Sequence, residues 1–144
     1  MINQGSEYLR ELLRILVRNL GILEKSDSSC YGVTIAQCHA IVEIGRIKKI
    51  SLIELADLLG LDKSTMSRTI NNLVEAGLVK RDIDTENRRY ISIQLTDQGI
   101  EVFESIENSM YRYYSDIFKS IPEDKRNQVL DSLEILVKSV KENK

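Results

Sequence analysis

Residues 51–96 read SLIELADLLGLDKSTMSRTINNLVEAGLVKRDIDTENRRYISIQLT, and this stretch decides the fold. Ser51 with Glu54 is the pattern of a capping box, and it opens an apolar-periodic run that Gly60 ends. Asp62 is placed to cap a second helix immediately afterwards. The sequence therefore predicts two short helices joined by a sharp turn.

A hairpin is expected to follow the second helix, which Gly77 ends. Two strand-like segments lie around 78–81 and 90–95, and the polar, arginine-bearing segment 82–89 separates them. A helix, a tight turn, a second helix and a wing form an arrangement that places one helix in the major groove of DNA. The wing can then reach an adjacent groove.

Helical patterns also flank this unit on both sides. Leucines at helical spacing predict a first helix around 5–25, and Thr34 with Gln37 forms a second capping box. A long helix follows 96–99, and the segment 120–123, with its proline, starts a last one. The predicted fold is mostly α with a small β wing, in the order α-α-α-α-β-β-α-α.

The domain organisation follows from this order of elements. We expect one domain over 1–144, in which 34–96 is a winged helix-turn-helix lobe. The flanking helices, in 1–33 and 97–144, are too apolar to be covered by the small middle unit alone. They therefore predict a helical interface with a second copy of the chain, that is, a homodimer. The alternative is that they pack on each other within a monomer.

Composition bounds the class of protein. The 144 residues, 42% hydrophobic and 29% charged, are typical of one soluble globular domain. No apolar run approaches the roughly 20 residues that span a bilayer, and the N-terminus lacks the pattern of a signal peptide. We therefore expect a cytoplasmic protein with no membrane partner, in which the two cysteines are thiols.

The charge balance argues against a general nucleic-acid binder, because the net charge is −2 and the pI is about 5.5. Any DNA-binding face must therefore be local. Residues 62–94 hold a surplus of only one positive charge. The bases are Lys63, Arg68, Lys80, Arg81, Arg88 and Arg89, and the acids are Asp62, Glu75, Asp82, Asp84 and Glu86.

The second helix of the central unit has two distinct faces. Met66, Ile70 and Leu73 fall on one stripe and should face the core, while polar side chains that can read base edges or hold phosphates fall opposite. We expect Ser67 and Arg68 in the groove and Lys63, Ser64 and Thr65 closer to the DNA backbone. The alternative is a merely solvated polar face. The candidate DNA-binding residues of this helix are Lys63, Ser64, Thr65, Ser67, Arg68 and Asn71.

Three phrases, in this order and spacing, resemble the MarR family of transcription regulators. They are VTIAQCHAI (33–41), LIELADLLGLDKSTMSRTINNLVEAGLVKR (52–81) and DTENRRYISIQLTDQG (84–99). The resemblance implies an obligate homodimer on a pseudo-palindromic operator. Such a dimer usually represses transcription and is released by a small ligand or by oxidation.

The wing departs from the family pattern at one position. Where the resemblance implies an Asp followed by arginines, this chain has Asn87-Arg88-Arg89. Arg89 resembles the residue that enters the minor groove, and Arg88 is its neighbour. With Asn87 in place of an Asp, the wing arginines lack one charged partner. Asp84 or Asp82 is the candidate to replace it.

Cys30, Cys38 and His39 are the soft-ligand residues of the chain. One interpretation is that the thiols sense oxidants, soft metals or metalloids, because thiolate pairs form reversible disulfides and bind such ions. The other is that Cys38 is a small buried hydrophobe and Cys30 an incidental loop thiol. Neighbouring residues on a helix point about 100° apart, so Cys38 and His39 are not expected to share a ligand. No resident metal or cofactor is predicted.

Two other functional classes compete with DNA binding. A single His, two Cys and the absence of a phosphate-binding glycine loop or a hydrolase motif argue against an enzyme. A winged-helix protein–protein interaction module without DNA binding remains as the alternative. The favoured hypothesis is a sequence-specific DNA-binding transcription regulator, a dimeric repressor that a small ligand or a thiol-reactive signal releases. Its expected partners are double-stranded DNA, a second copy of itself and a small-molecule effector.

Overall fold

The structure is a computed structural model, and it describes residues 2–20, 33–83 and 91–144. The chain forms two compact units, Met1–Ile106 and Glu107–Lys144. The helices are α1 (Ile2–Asn19), α2 (Ile35–Ile47), α3 (Leu52–Leu59), α4 (Lys63–Glu75), α5 (Asp97–Ser120) and α6 (Arg126–Glu142). The strands are β1 (Ile50–Ser51), β2 (Val79–Ile83) and β3 (Ile91–Leu95).

The small sheet is antiparallel, with β3 in the centre and β1 and β2 on either side. β2 and β3 form the predicted wing, in the register Val79 to Leu95, and the mostly α fold with a small β wing is confirmed. Sequence reasoning missed β1, which pairs Ile50 with Ile93. A strand of two residues is too short to show the alternation by which strands are recognised.

Local capping residues set the helix boundaries. The box at Thr34 is complete, because its hydroxyl accepts from the Gln37 N–H at 3.2 Å and the Gln37 side chain accepts from the Thr34 N–H at 3.0 Å. Ser51 accepts from the Glu54 N–H at 3.1 Å and so caps α3. Gly60 ends α3 in the left-handed conformation, with φ of +68°, which glycine adopts without strain.

The core of the first unit lies between α2, α3, α4 and the sheet. α2 packs against α4 and β3, and α3 packs against α4. Each of these elements turns one apolar face inward, which is the main source of stability in a domain of this size. The largest fully buried side chains are Ile41, Ile44, Leu55, Met66, Ile70, Leu73, Ile93 and Cys38.

Two helix ends differ from the sequence prediction. The last helix does not begin at Pro122, because a 3₁₀ turn (Glu123–Lys125) follows that proline and α6 starts at Arg126. The Arg126 guanidinium donates to the Phe118 and Ile121 carbonyl oxygens at 3.2 and 3.1 Å, and it thereby satisfies carbonyls at the end of α5. At the other end of the chain α1 ends at Asn19 and Leu20 is not helical, while residues 21–25 of the predicted first helix lie outside the described residues.

The terminal helices expose apolar side chains. On α1 these are Tyr8, Leu9, Leu12, Ile15, Leu16 and Val17, and on α6 they are Leu130, Leu133, Ile135, Val137 and Val140. Such stripes at helical spacing are normally covered by protein. Among the helices that the structure describes, none combines the length and the apolar character needed to cross a membrane.

Candidate nucleic-acid interface

Helix α4 is anchored by its apolar side. Met66 and Leu73 are 0% exposed and Ile70 is 1% exposed, as the periodicity predicts. Thr69 is also buried, and its hydroxyl donates to the Thr65 carbonyl oxygen at 3.0 Å, so its polar group is satisfied within the helix. Because this side is held in the core, the opposite side of α4 must face outward.

The N-terminus of α4 is capped by Asp62. One carboxylate oxygen, Oδ1, accepts from the Thr65 N–H at 2.7 Å and from the Ser64 hydroxyl at 3.0 Å. The hydrogen bond from the Thr65 backbone is the main reason that the pKa of Asp62 lies below its ordinary value of 3.8. The cap orients the first turn of α4, where Lys63 is exposed. It also uses the Ser64 hydroxyl proton, so Ser64 can offer an approaching group only its lone pairs.

Because the cap is charged, the difference in stability between the wild type and Asp62→Asn should depend on pH. Asn caps helices about as well as Asp but lacks the charge that strengthens the bond to the Thr65 N–H. Because the folded-state pKa is depressed, the extra stabilisation is present above the unfolded-state pKa and is lost as the pH falls through the folded-state pKa. Denaturant unfolding should therefore show the wild type as the more stable protein at pH 7. The free energies of unfolding of the two proteins should converge in acid. A difference in stability that does not change with pH would contradict the role of the ionised Asp62 cap.

The outward side of α4 presents the predicted polar residues. Arg68 is exposed, and its guanidinium lies 3.4 Å from the Thr65 hydroxyl oxygen, at the long end of the hydrogen-bond range. Such a contact at an exposed site holds the side chain weakly, so the guanidinium remains available for an external acceptor. Ser67 is half-buried beside Arg68. The structure therefore brings Lys63, Ser64, Thr65, Ser67 and Arg68 to the first two turns of one helix.

Asn71, one turn further along α4, is linked to the wing. The guanidinium Nη1 of Arg81 donates to Asn71 Oδ1 at 2.6 Å. Arg81 lies in β2 opposite Ile93, and both members of the hydrogen bond are exposed. Helix α4 and the wing are therefore connected by a side-chain contact at the surface.

Sequence reasoning counted Arg81 among the local bases but did not include it among the site residues. The two partners are ten residues apart and lie on different elements, so no helical or strand period relates them. Only the path of the chain through Gly77 into β2 brings them together. The residues of the wing tip, namely Asp84, Asn87, Arg88 and Arg89, lie outside the described residues.

Cys38 and His39 lie in different environments on α2. Cys38 is 1% exposed and forms part of the core, whereas His39 is exposed. The two side chains therefore do not converge on a common ligand, and Cys30 lies outside the described residues. Within the described parts of the chain, no group of three or more His, Cys, Asp or Glu side chains is arranged to hold a metal ion.

A core-anchored second helix with a polar outer side, followed by an antiparallel hairpin, defines the class of winged helix-turn-helix proteins. The MarR family model matches residues 33–91. This match confirms the resemblance to the MarR family noted in the sequence.

Individual relatives agree with this assignment. The chain is 24% identical over 105 residues to the uncharacterized HTH-type transcriptional regulator YdgJ of Bacillus subtilis, a match that covers 73% of this chain and 64% of YdgJ. A MarR transcriptional regulator from Methanosarcina mazei is 26% identical with a TM-score of 0.78, over 96% of this chain and 99% of that one. The Streptococcus pneumoniae protein FabT, crystallised in complex with DNA, shares the fold, with 20% identity, a TM-score of 0.80 and full coverage of both chains.

Proposed function

We propose that this protein is a sequence-specific DNA-binding transcription regulator. The observation that carries the proposal is the geometry of α4, whose apolar side is held in the core while Arg68 and its polar neighbours face outward. A helix held in this way can enter the major groove and present side chains to base edges without losing its own packing. FabT, which shares the fold, was crystallised with DNA.

This geometry favours DNA over the alternative of a protein–protein interaction module. Docking surfaces for proteins have an apolar centre from which charged side chains are depleted. The exposed side of α4 instead carries Lys63, Arg68 and Asn71. Their N–H groups can donate to phosphate oxygens and to acceptors on base edges.

The functional unit that we propose is a homodimer. The exposed apolar side chains of α1 and α6 give a second copy a surface to cover, so 1–33 and 97–144 serve dimerisation and 34–96 binds DNA. Two recognition helices related by a two-fold axis should read half-sites about 10 bp apart on a pseudo-palindromic operator.

Regulation would follow from release of the operator. We propose repression that a small-molecule effector or a thiol-reactive signal relieves, with Cys30, Cys38 and His39 as the candidates for thiol sensing. The burial of Cys38 restricts its access to oxidants and supports the interpretation of this residue as a small core hydrophobe. The protein would act on DNA in the cytoplasm and would not be an enzyme.

Arg68→Ala tests the proposed role of α4. If Arg68 contacts a base, the variant should bind the operator about 1–3 kcal/mol more weakly and should discriminate less at one base pair. Titration of labelled duplexes, each with one base pair replaced, measures both effects. Arg46→Ala is the matched control, because it removes an exposed arginine from α2 instead. Equal operator affinity of Arg68→Ala and the wild type would remove Arg68 from the interface.

A further inference from the structure

The hydrogen bond between Arg81 and Asn71 affects which bases the proposed regulator selects. We propose that Arg81 is a positioning residue that orients the Asn71 carboxamide, so that its oxygen faces Arg81 and its N–H groups face an approaching base. This inference rests on the proposed DNA-binding function. It assigns a specificity-determining role to a residue of the wing strand that need not touch a base.

The contact determines which way the Asn71 carboxamide points. The oxygen and nitrogen of an amide are usually hard to tell apart, and their positions must be inferred from their partners. Here the partner is a guanidinium, which has only donors, so the amide oxygen must face Arg81 and the amide nitrogen must point away from it. The Nη1 to Oδ1 distance of 2.6 Å is short, as expected for a hydrogen bond to an ionised donor.

Both partners are held by regular structure. Asn71 directly follows Ile70, which is buried on the core side of α4, and Arg81 lies in β2, opposite the buried Ile93. Both side chains are exposed, so the contact lies at the surface. Docking of α4 in a groove would exclude water from the contact and strengthen it, because charge-assisted bonds are stronger at low dielectric. The amide orientation should therefore persist in the complex.

An asparagine in this state reads bases differently from an unconstrained one. The usual bidentate pairing of asparagine with adenine needs the amide oxygen to accept from N6 and the amide nitrogen to donate to N7. In this chain the oxygen is turned toward Arg81, so the N–H groups of Asn71 are the ones directed at an approaching base. Guanine presents two acceptors in the major groove and thymine presents O4, while adenine places a donor beside its acceptor. Asn71 should therefore favour guanine or thymine and disfavour adenine.

Replacing Arg81 by methionine should reverse this preference. Arg81→Met keeps much of the apolar stem and removes the donor, so the Asn71 carboxamide can rotate and its Oδ1 can accept from the N6 amino group of adenine. The relative affinity for adenine at one base pair of each half-site should rise about tenfold, the lower part of the range for a bidentate pair. Arg81→Lys retains a donor and should keep the wild-type base profile. Adding Asn71→Ala to Arg81→Met should abolish the gain for adenine.

The measurement is a set of equilibrium titrations against duplexes in which each base pair of the operator half-site is replaced in turn. If Arg81→Met lowers affinity by the same factor for every duplex, Arg81 acts as a phosphate contact or a structural brace, and the inference is wrong. If Arg81→Met does not fold, Asn71→Ala alone decides the matter. It should lose a preference for guanine or thymine, and loss of a preference for adenine would overturn the inference.

The wild-type titrations separate this inference from the function on which it rests. If the wild type shows no sequence preference, the proposed function fails, and the inference fails with it before any variant is compared. If the wild type discriminates among duplexes but Arg81→Met has the same profile, only the role of Arg81 is overturned. Circular dichroism of each variant confirms that the comparison is made between folded proteins.

Discussion

Truncation of Leu73 to alanine is expected to lower the free energy of unfolding by about 2–5 kcal/mol. Leu73 is 0% exposed and lies on the side of α4 that packs in the core, with Met66 and Ile70. Its carbonyl oxygen also accepts from the Leu78 N–H at 3.0 Å, at the point where the chain leaves α4 for β2. The cavity left by the truncation would therefore loosen both the recognition helix and its connection to the wing. Denaturant unfolding at fixed protein concentration measures the loss.

Leu58→Ala is the matched control for Leu73→Ala. It is the same chemical change on a neighbouring helix, but the Leu58 side chain is 52% exposed. Its effect on the free energy of unfolding should stay within about 0.5 kcal/mol, because exposed positions away from special features tolerate truncation. Similar losses for the two variants would contradict the account of α4 as the helix anchored in the core.

Replacing Gly99 with alanine is expected to destabilise the fold by about 1–3 kcal/mol, through overpacking. Gly99 is buried in the first turn of α5, and a Cβ there would overlap the carbonyl oxygen of Leu78 and lie 3.0 Å from its carbonyl carbon. The obstacle is backbone rather than a flexible side chain. The Leu78 carbonyl oxygen also accepts from the Thr96 N–H at 3.0 Å. It therefore cannot move away from a new Cβ without breaking this hydrogen bond, which connects the start of β2 to the start of α5.

Gly5→Ala makes the same substitution in α1, where a Cβ would meet nothing within 4 Å. In a helix interior alanine is favoured over glycine by up to about 1 kcal/mol, so this control should be neutral or stabilising. The midpoints of thermal and denaturant unfolding should therefore fall for Gly99→Ala. For Gly5→Ala they should rise or stay unchanged. A Gly99→Ala protein as stable as the wild type would contradict the close approach of α5 to Leu78, the residue before β2.

The parts of the fold that sequence predicted are those that depend on nearby residues. The capping of α2 by Thr34 and of α4 by Asp62 involves partners three residues away, and the helical period alone places Met66, Ile70 and Leu73 in the core. The sequence predicts these caps because each capping residue bonds to the backbone of its own helix.

The features that sequence did not predict depend on the path of the chain in three dimensions. The strand β1 exists only because β3 returns beside it, and Arg81 reaches Asn71 only because β2 turns back along α4. The close approach of Gly99 to Leu78 is likewise set by how α5 leaves the sheet. The start of α6 differs from the prediction for a local reason, because the residues after Pro122 form a 3₁₀ turn, which is common at the ends of α-helices.

The most direct test of the account is equilibrium binding of the purified wild-type chain to a duplex enriched from a random pool, titrated against salt. A scrambled duplex of the same composition is the control. We expect saturable binding of one dimer per duplex, tighter than to the scrambled duplex, with an affinity whose logarithm falls linearly with the logarithm of salt concentration. Failure to enrich any sequence, or equal affinity for the two duplexes at every salt concentration, would contradict the assignment of this protein as a sequence-specific regulator.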